Sequence, residues 1–315
     1  MTTCLVTGGY GFIGSHIAAA LIARGDRVHV LDDLSTGHVQ NLAAVEASAG
    51  GRLKVFHGSV CDPAIVSQAL EGVEYVYHQA ALASVPRSVS DPLATHAACV
   101  TGTVVVLDQA RQAGVRRVVF AASSSAYGDS PWAAKREVDA LSPLSPYAAA
   151  KIASEQYCQA FYCSYGLETV CLRYFNVFGP RQDPQGAYAA VIPAFIAKMH
   201  GGQRPTIFGD GSQTRDFTYI DNVVAGNLAA SLAPRAAGNV YNIASGKSYS
   251  LLDLVAALNA IMGLEVEPIF EPGRVGDVKD SLADISRARE DLGYEPAVAF
   301  HEGLQATTAF YTNPP

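Results

Sequence analysis

The chain is poor in several features, and each shortage narrows what it can be. Charged residues make up 16% of its 315 positions, no basic run exceeds Arg116-Arg117, and the net charge is -7. That balance argues against a nucleic-acid partner and leaves an anionic ligand dependent on a locally positive pocket. No apolar run approaches the roughly 20 residues of a membrane-spanning helix. Met1-Thr2-Thr3 leads into the first apolar run without a charged leader and cleavage site, so a cytoplasmic protein with no membrane attachment is expected. Paired cysteines are missing as well. Cys4, Cys61, Cys99, Cys158, Cys163 and Cys171 form no C-x-x-C and have no histidines at zinc spacing. They read as reduced thiols, several of them small buried hydrophobes, and no metal site is expected. Repeats and low-complexity tracts are absent too.

What is there is rhythm. Short Val/Ile/Leu-rich runs alternate with Ala-rich helical patterns: CLVT then FIGSHIAAALIARG, VHVL, LKVFHG then PAIVSQAL, YVYHQA then a helix near 93–113, RRVVFAAS then a helix from about Pro146 to Tyr165, and ETVCLRYFN. Continuous apolar strands separated by helices predict a parallel sheet covered on both faces, a Rossmann-type doubly wound α/β fold. Beyond about residue 180 the pattern loosens into Gly-rich and polar connections such as IFGDGSQTRDFTYI and YNIASGKSYS. Loops of that kind carry ligand contacts. We therefore expect a nucleotide-binding domain over 1–180 and a smaller C-terminal α/β substrate domain over 181–315, with the chain free to cross back between them.

Three constellations carry chemistry. The first strand ends in TGGYGFIGSH, which places Gly8, Gly11 and Gly14 at three-residue spacing where the chain turns into a helix. Glycines there let the backbone approach a pyrophosphate, and the helix N-terminus offers unpaired N–H groups. Asp32 closes the second strand 18 residues beyond Gly14, near the ~20-residue spacing of the carboxylate that binds adenosine-ribose hydroxyls. With no adjacent Arg, NAD is favoured over its 2'-phosphorylated relative; Asp33 reads as a solvated loop acid. The second constellation, SPYAAAK, puts Tyr147 and Lys151 on one helix face. A phenol near pKa 10 is a poor base at neutral pH. Lowering it by about three units takes about 4 kcal/mol, which a close cation and a positively charged nicotinamide are expected to supply. Third, the buried run Val118–Ala122 ends in Ser123, Ser124 and Ser125 at the carboxyl end of a strand, where ligands of open parallel sheets bind. Those hydroxyls are placed to meet a substrate hydroxyl and pass its proton to Tyr147.

TGGYGFIGS, the Asp32 position, HQAA, SSSAYG, SPYAAAK and LRYFNVFGPRQDP together resemble the extended short-chain dehydrogenase/reductase superfamily, and within it the NAD-dependent UDP-sugar 4-epimerases, the UDP-N-acetylglucosamine branch above all. The resemblance covers nearly the whole chain. It implies a hexose oxidised at carbon 4 by bound NAD, a 4-keto sugar that turns in the pocket, and re-reduction on the other face. It makes Tyr147 the acid/base, Lys151 the residue that holds the nicotinamide ribose and tunes that tyrosine, and Ser123 the catalytic hydroxyl, with Ser124 its competitor. For the cofactor it implies Gly8, Gly11, Phe12, Ile13, Asp32, Asp62 against adenine, Ala80, Ala81 and Tyr174. For the sugar nucleotide it implies Asn176, Arg215 and Arg274, the alternative for either Arg being a surface ion pair, with Ser84 and Arg87 approaching the sugar.

Ser281 falls where the resemblance puts a gatekeeper against the hexose 2-substituent. A tyrosine there would crowd out an N-acetyl group and a serine leaves room, so UDP-GlcNAc/UDP-GalNAc interconversion is expected, with UDP-glucose/UDP-galactose tolerated. Relatives that dehydrate or decarboxylate carry acids directly after the catalytic hydroxyl. Here Ser124, Ser125 and Ala126 follow, and those chemistries lose their agent. A UDP-uronic acid 4-epimerase and a non-catalytic nucleotide-sugar-binding protein stand as alternatives, the latter disfavoured because Tyr147 and Lys151 are both present. Cys99 occupies a position where relatives commonly have Asn near the nicotinamide ribose; it is either a weakened contact or a small buried side chain. The resemblance also implies a homodimer through the helices near 93–113 and 147–164, whose Ala-rich faces could equally pack internally.

Overall fold

In Val118–Ala122 alternate side chains serve opposite layers, which is why every position is apolar. Val119 and Ala121 face one core with Ile17 and Leu21, while Val118, Phe120 and Ala122 face another with Val106, Leu107 and Phe161. Each fully buried large aliphatic or aromatic side chain contributes about 1.5–3 kcal/mol. The computed structural model describes residues 1–184, 190–273 and 279–313. Its first half alternates β1 (Thr3–Thr7), α1 (Phe12–Ala23), β2 (Arg27–Asp32), α2 (Gln40–Ser48), β3 (Leu53–His57), α3 (Pro63–Ala69) and β4 (Tyr75–His78). After α4 (Val85–Ser90), α5 (Pro92–His96) and α6 (Gly102–Gln112) come β5 (Arg117–Ser123), α7 (Pro146–Tyr165) and β6 (Glu168–Tyr174).

The second half holds β7 (Val177–Phe178), α8 (Val191–His200), β8 (Thr206–Phe208), β9 (Thr214–Arg215), β10 (Thr218–Tyr219), α9 (Ile220–Leu232) and β11 (Asn239–Ile243). Then follow β12 (Tyr249–Ser250), α10 (Leu251–Met262), β13 (Ile269–Glu271), β14 (Asp280–Ser281), α11 (Ser286–Leu292) and α12 (Phe300–Thr312). The main sheet is seven-stranded and parallel, in the order β11-β6-β5-β4-β1-β2-β3. Chain order reverses between β1 and β4, which opens a crevice at their carboxyl ends. α1 and α9 cover one face; α3, α6 and α7 cover the other.

Beyond residue 180 the chain crosses back: β11 returns to pair with β6 and α9 packs on α1, so 220–243 belong to the sheet layer. One expectation needs correcting. The helix expected near 93–113 is three pieces, with a π-helical turn over Ala97–Thr101 between α5 and α6. There the Cys99 carbonyl accepts from the hydroxyls of both Thr103 and Ser154. Side-chain donors competing for a carbonyl loosen the ordinary helical ladder.

Candidate active site

α7 is built to hold its first two turns still. Ser145 caps it, its Oγ accepting from Ala148 N at 3.2 Å; Pro146 starts it, and Gly166 ends it in the left-handed region at φ 72°. Tyr147 and Lys151 therefore stand beside the carboxyl end of β5. Lys151, 2% exposed, donates from Nζ to Ala121 O at 2.7 Å, with Nζ 4.9 Å from the Phe120 ring centroid and 5.9 Å from that of Tyr147.

Between β1 and β4 a cavity of about 490 Å³ runs from Asp32 past Gly8, Gly11 and Ala80 to Tyr147 and Lys151. The glycines are steric necessities. A Cβ on Gly8, at φ 68°, would lie 2.8 Å from Ala80 N, and one on Gly14 would collide with the Gly8 carbonyl oxygen. Asp32 accepts from Tyr10 N at 2.9 Å and Leu34 N at 2.8 Å; burial nevertheless pushes its carboxyl up. At the other end Ala80 N donates to Thr7 Oγ1, Thr7 bonds His78 Nδ1 at 2.7 Å, and His78 Nε2 bonds Thr103 Oγ1 at 3.0 Å. Burial, reinforced by Lys151, draws His78 down to about 3, so it is neutral. Since Thr103 donates to Cys99, His78 must donate from Nε2 and accept at Nδ1. This relay ties the ends of β1 and β4 to the turn that carries Cys99.

Of the residues singled out in the sequence, Gly8, Gly11, Phe12, Ile13, Gly14, Asp32, Ala80, Ala81, Ser84, Arg87, Tyr147, Lys151 and Tyr174 line this one cavity. Asn176, Arg215 and Ser281 form a second group outside it. Asn176 Nδ2 donates to Ser281 Oγ at 3.3 Å, and Ser281 pairs with Arg215 across β14 and β9. Buried Asp216 fastens that group by accepting from Ser245 N, Ser245 Oγ, Gly246 N and Ala283 N, although burial pushes its carboxyl up to about 6. Ser123 stands near enough to Tyr147 to draw its phenol down and accepts from Ser125 Oγ at 2.9 Å; Ser124 starts a short 3-10 turn, and none of the three serines lines the cavity. Asp62 also stands apart. It caps α3 by accepting from Ala64 N at 2.9 Å, and Gly58, Ser59 and Val60 take the wall expected of it. Arg274 lies outside the described residues.

The expected acidity of Tyr147 requires a correction. Burial pushes its phenol above the ordinary tyrosine range, Cys99 adds to the rise, and Ser123 only partly opposes them. Burial thus outweighs the attraction of Lys151, whose Nζ is 5.9 Å from the ring centroid, and burial depresses the lysine's own pKa. A helix that places two side chains on one face does not make them touch. The protein frame alone therefore holds the tyrosine neutral, and the second cation of the argument, the nicotinamide ring, is needed. Residues absent from the sequence reading also line the cavity, among them Asn41, Gln79, Arg181 and Gln182. Arg181 and Gln182 could have been singled out from PRQDP only by a motif, since nothing in their spacing points inward.

A parallel sheet with a glycine turn at its topological switch point, a carboxylate closing β2 and a Tyr-x-x-x-Lys helix define a dinucleotide-dependent enzyme of Rossmann type. The family model for NAD dependent epimerase/dehydratases matches residues 4–244, and the chain belongs to that family, with NAD its cofactor. It is 40% identical over 311 residues to the UDP-glucose 4-epimerase of Mycolicibacterium smegmatis, covering 98% of both chains. Two solved structures, each covered 98% both ways, superpose with similar fidelity. One is UDP-N-acetylglucosamine 4-epimerase from Methanobrevibacter ruminantium M1 in complex with UDP-N-acetylmuramic acid, at TM-score 0.93 and 37% identity. The other is UDP-glucose 4-epimerase with UDP-glucose from Thermotoga maritima, at 0.92 and 38%. Among the described residues no helix is long and apolar enough to cross a membrane, and no His, Cys, Asp and Glu side chains group as metal ligands.

Proposed function

We propose that the chain is an NAD-dependent UDP-sugar 4-epimerase that interconverts UDP-GlcNAc and UDP-GalNAc and also accepts UDP-glucose and UDP-galactose. The observation that carries this reading is Tyr147 set beside Lys151 at the end of the cavity, with Ser123 near enough to act on the phenol and no acid in the Ser123–Tyr127 segment. The Gly8–Ile13 turn, Asp32, Lys151 and Tyr174 would hold NAD, which when bound would supply reversible hydride acceptance at carbon 4. Tyr147 Oη, as the phenolate, accepts the proton of the 4-hydroxyl and returns it to the same oxygen once the turned sugar is reduced on its other face. Ser123 holds that hydroxyl in line. Without a neighbouring carboxylate nothing removes a proton from carbon 5 or directs loss of a carboxyl group, so the 4-keto sugar is only reduced. The full-length protein incubated with UDP-GalNAc, UDP-galactose and UDP-galacturonic acid tests this by resolving the epimers. Fastest turnover of the uronic acid would replace the substrate assignment, and bound NAD with no turnover of any would replace the enzyme reading.

Ser281 supports the N-acetyl preference: its side chain is small and half-buried, and it meets Asn176. Ser281→Tyr is expected to cut UDP-GalNAc turnover by about 10-fold or more while sparing UDP-galactose. Equal loss of both in steady-state assays would contradict the gatekeeper role.

We further place the protein in the cytoplasm, consistent with six free cysteines, and as a homodimer. An apolar groove of about 430 Å³ between α5 and α7 is lined by Leu93, Val100, Ala149 and Ala153, with Leu93 81% exposed and Val89 66% exposed nearby. Contiguous apolar surface of this kind is normally covered. Leu93→Asp is expected to convert the dimer to monomer in sedimentation analysis; an unchanged dimer would put the interface elsewhere.

A further inference from the structure

Two buried polar atoms of the cavity wall have no partner. Arg181 Nη1 and Gln182 Oε1 are neighbours in the chain, and both residues line the cavity. The other buried side-chain atoms without partners among the described residues, Gln213 Oε1 and Thr218 Oγ1, belong to residues that do not line it. A buried guanidinium nitrogen without a partner is costly even in a half-buried side chain, and native structures pair such groups or turn them toward a ligand. Burial pulls the Arg181 pKa down, and among the described residues no acid offsets it.

The backbone carries a matching sign of constraint. Arg181 sits in the left-handed region at φ 67°, a conformation that is strained for a side chain of its length and concentrates at functional sites. The loop is held in that state from two sides. Gln182 Nε2 donates to Val177 O at 3.1 Å, which fixes Oε1 as the free acceptor, and Tyr311 OH on α12 donates to Gln182 O. The position is equally defined. A Cβ built on Gly179 would lie 3.6 Å from the Phe12 ring, and burial together with the Arg181 charge depresses the pKa of His16, whose Nδ1 bonds Phe12 O at 2.9 Å. The guanidinium thus stands beside the first turns of α1, whose leading backbone N–H groups lack helical partners.

We propose that Arg181 pairs with the diphosphate of the bound dinucleotide next to the α1 N-terminus, while Gln182 Oε1 accepts from a ribose hydroxyl beside it. An anion placed there meets the helix amides and a half-buried guanidinium together. Because the 179–184 loop leads out of β7 and is latched by α12, the contact also makes cofactor retention depend on the second half of the chain.

This rests on the cavity being the NAD site, and its test uses no sugar, so its failure is separable from failure of the epimerase assignment. The probe is NAD itself: its release from the holoenzyme is followed by chase with labelled NAD, and UDP affinity is measured on the same preparations. Arg181→Gln is expected to speed NAD release by about 10-fold to 100-fold, the range for losing a charged hydrogen bond. Release from that variant should also respond less to KCl between about 0.05 and 0.5 M, Arg181→Lys should recover part of the loss, and UDP affinity should hold. Unchanged NAD release would overturn the proposal, as would loss of UDP affinity with NAD release intact. Faster release with undiminished salt dependence and no recovery by Lys would show a structural role instead and would equally overturn it.

Discussion

Replacing Tyr147 with phenylalanine is expected to slow epimerisation by about 1,000-fold, the scale of losing a positioned acid/base group, while NAD stays bound. The ring keeps its place at the start of α7, and only the hydroxyl near Ser123 is lost. The pH profile should carry the same signature. Burial holds the phenol above its ordinary range, so the reactive phenolate grows as pH rises, and turnover of the wild-type chain should climb from neutral into alkaline solution. The variant should be slow and flat. Since burial outweighs the protein's own cation, the tyrosine should ionise at lower pH in NAD-loaded than in NADH-loaded protein, read as tyrosinate absorbance. A phenylalanine variant that keeps wild-type speed, or one whose rate still climbs with pH, would remove Tyr147 from the chemistry.

That correction marks a boundary between what local pattern encodes and what it does not. Periodicity, caps and glycine spacing encode backbone events. The Ser145-Pro146 start and Gly166 stop delimit α7, and the alternation of strand and helix prescribes a sheet whose switch point falls at Gly8 and Ala80. Residues that point into the cavity because the backbone turns there were therefore readable from type and spacing. Electrostatics was not readable in the same way. Whether Lys151 lowers Tyr147 depends on a distance and on what else competes for the ammonium, and here the Ala121 carbonyl takes it. Asp62 shows a related ambiguity: an Asp before Pro at a helix start serves as a cap as readily as a ligand, and three-dimensional position decides. Arg181 was hidden for a third reason. Its role follows from a missing partner, and an absence of that sort exists only once every neighbour has been placed.

Removing one member of the Arg173–Glu155 pair is expected to cost about 3–5 kcal/mol of folding free energy, far more than any surface charge. Both side chains are buried, at 4% and 1% exposure, with Arg173 Nε 3.0 Å and Nη2 2.7 Å from the Glu155 carboxylate. Arg173 Nη1 also donates to Tyr127 OH at 2.9 Å, and Tyr127 donates to Asn242 Oδ1 at 2.7 Å, so the pair joins α7, the segment after β5, β6 and β11. Burial disfavours the charged arginine, but Glu155 more than offsets it and raises its pKa above the ordinary range. Glu155→Met would leave that cation without a counter-charge, with the hydroxyl of Tyr127 and the carbonyl of Glu137 as its remaining partners. Arg173→Met would strand the carboxylate. The double replacement removes both charges and fills the space with apolar atoms, so in urea denaturation at fixed NAD it should be more stable than either single variant. A double variant that loses as much as the two singles added together would mean that the two charges act independently. The tie between the catalytic helix and the returning strand would then have to come from packing alone.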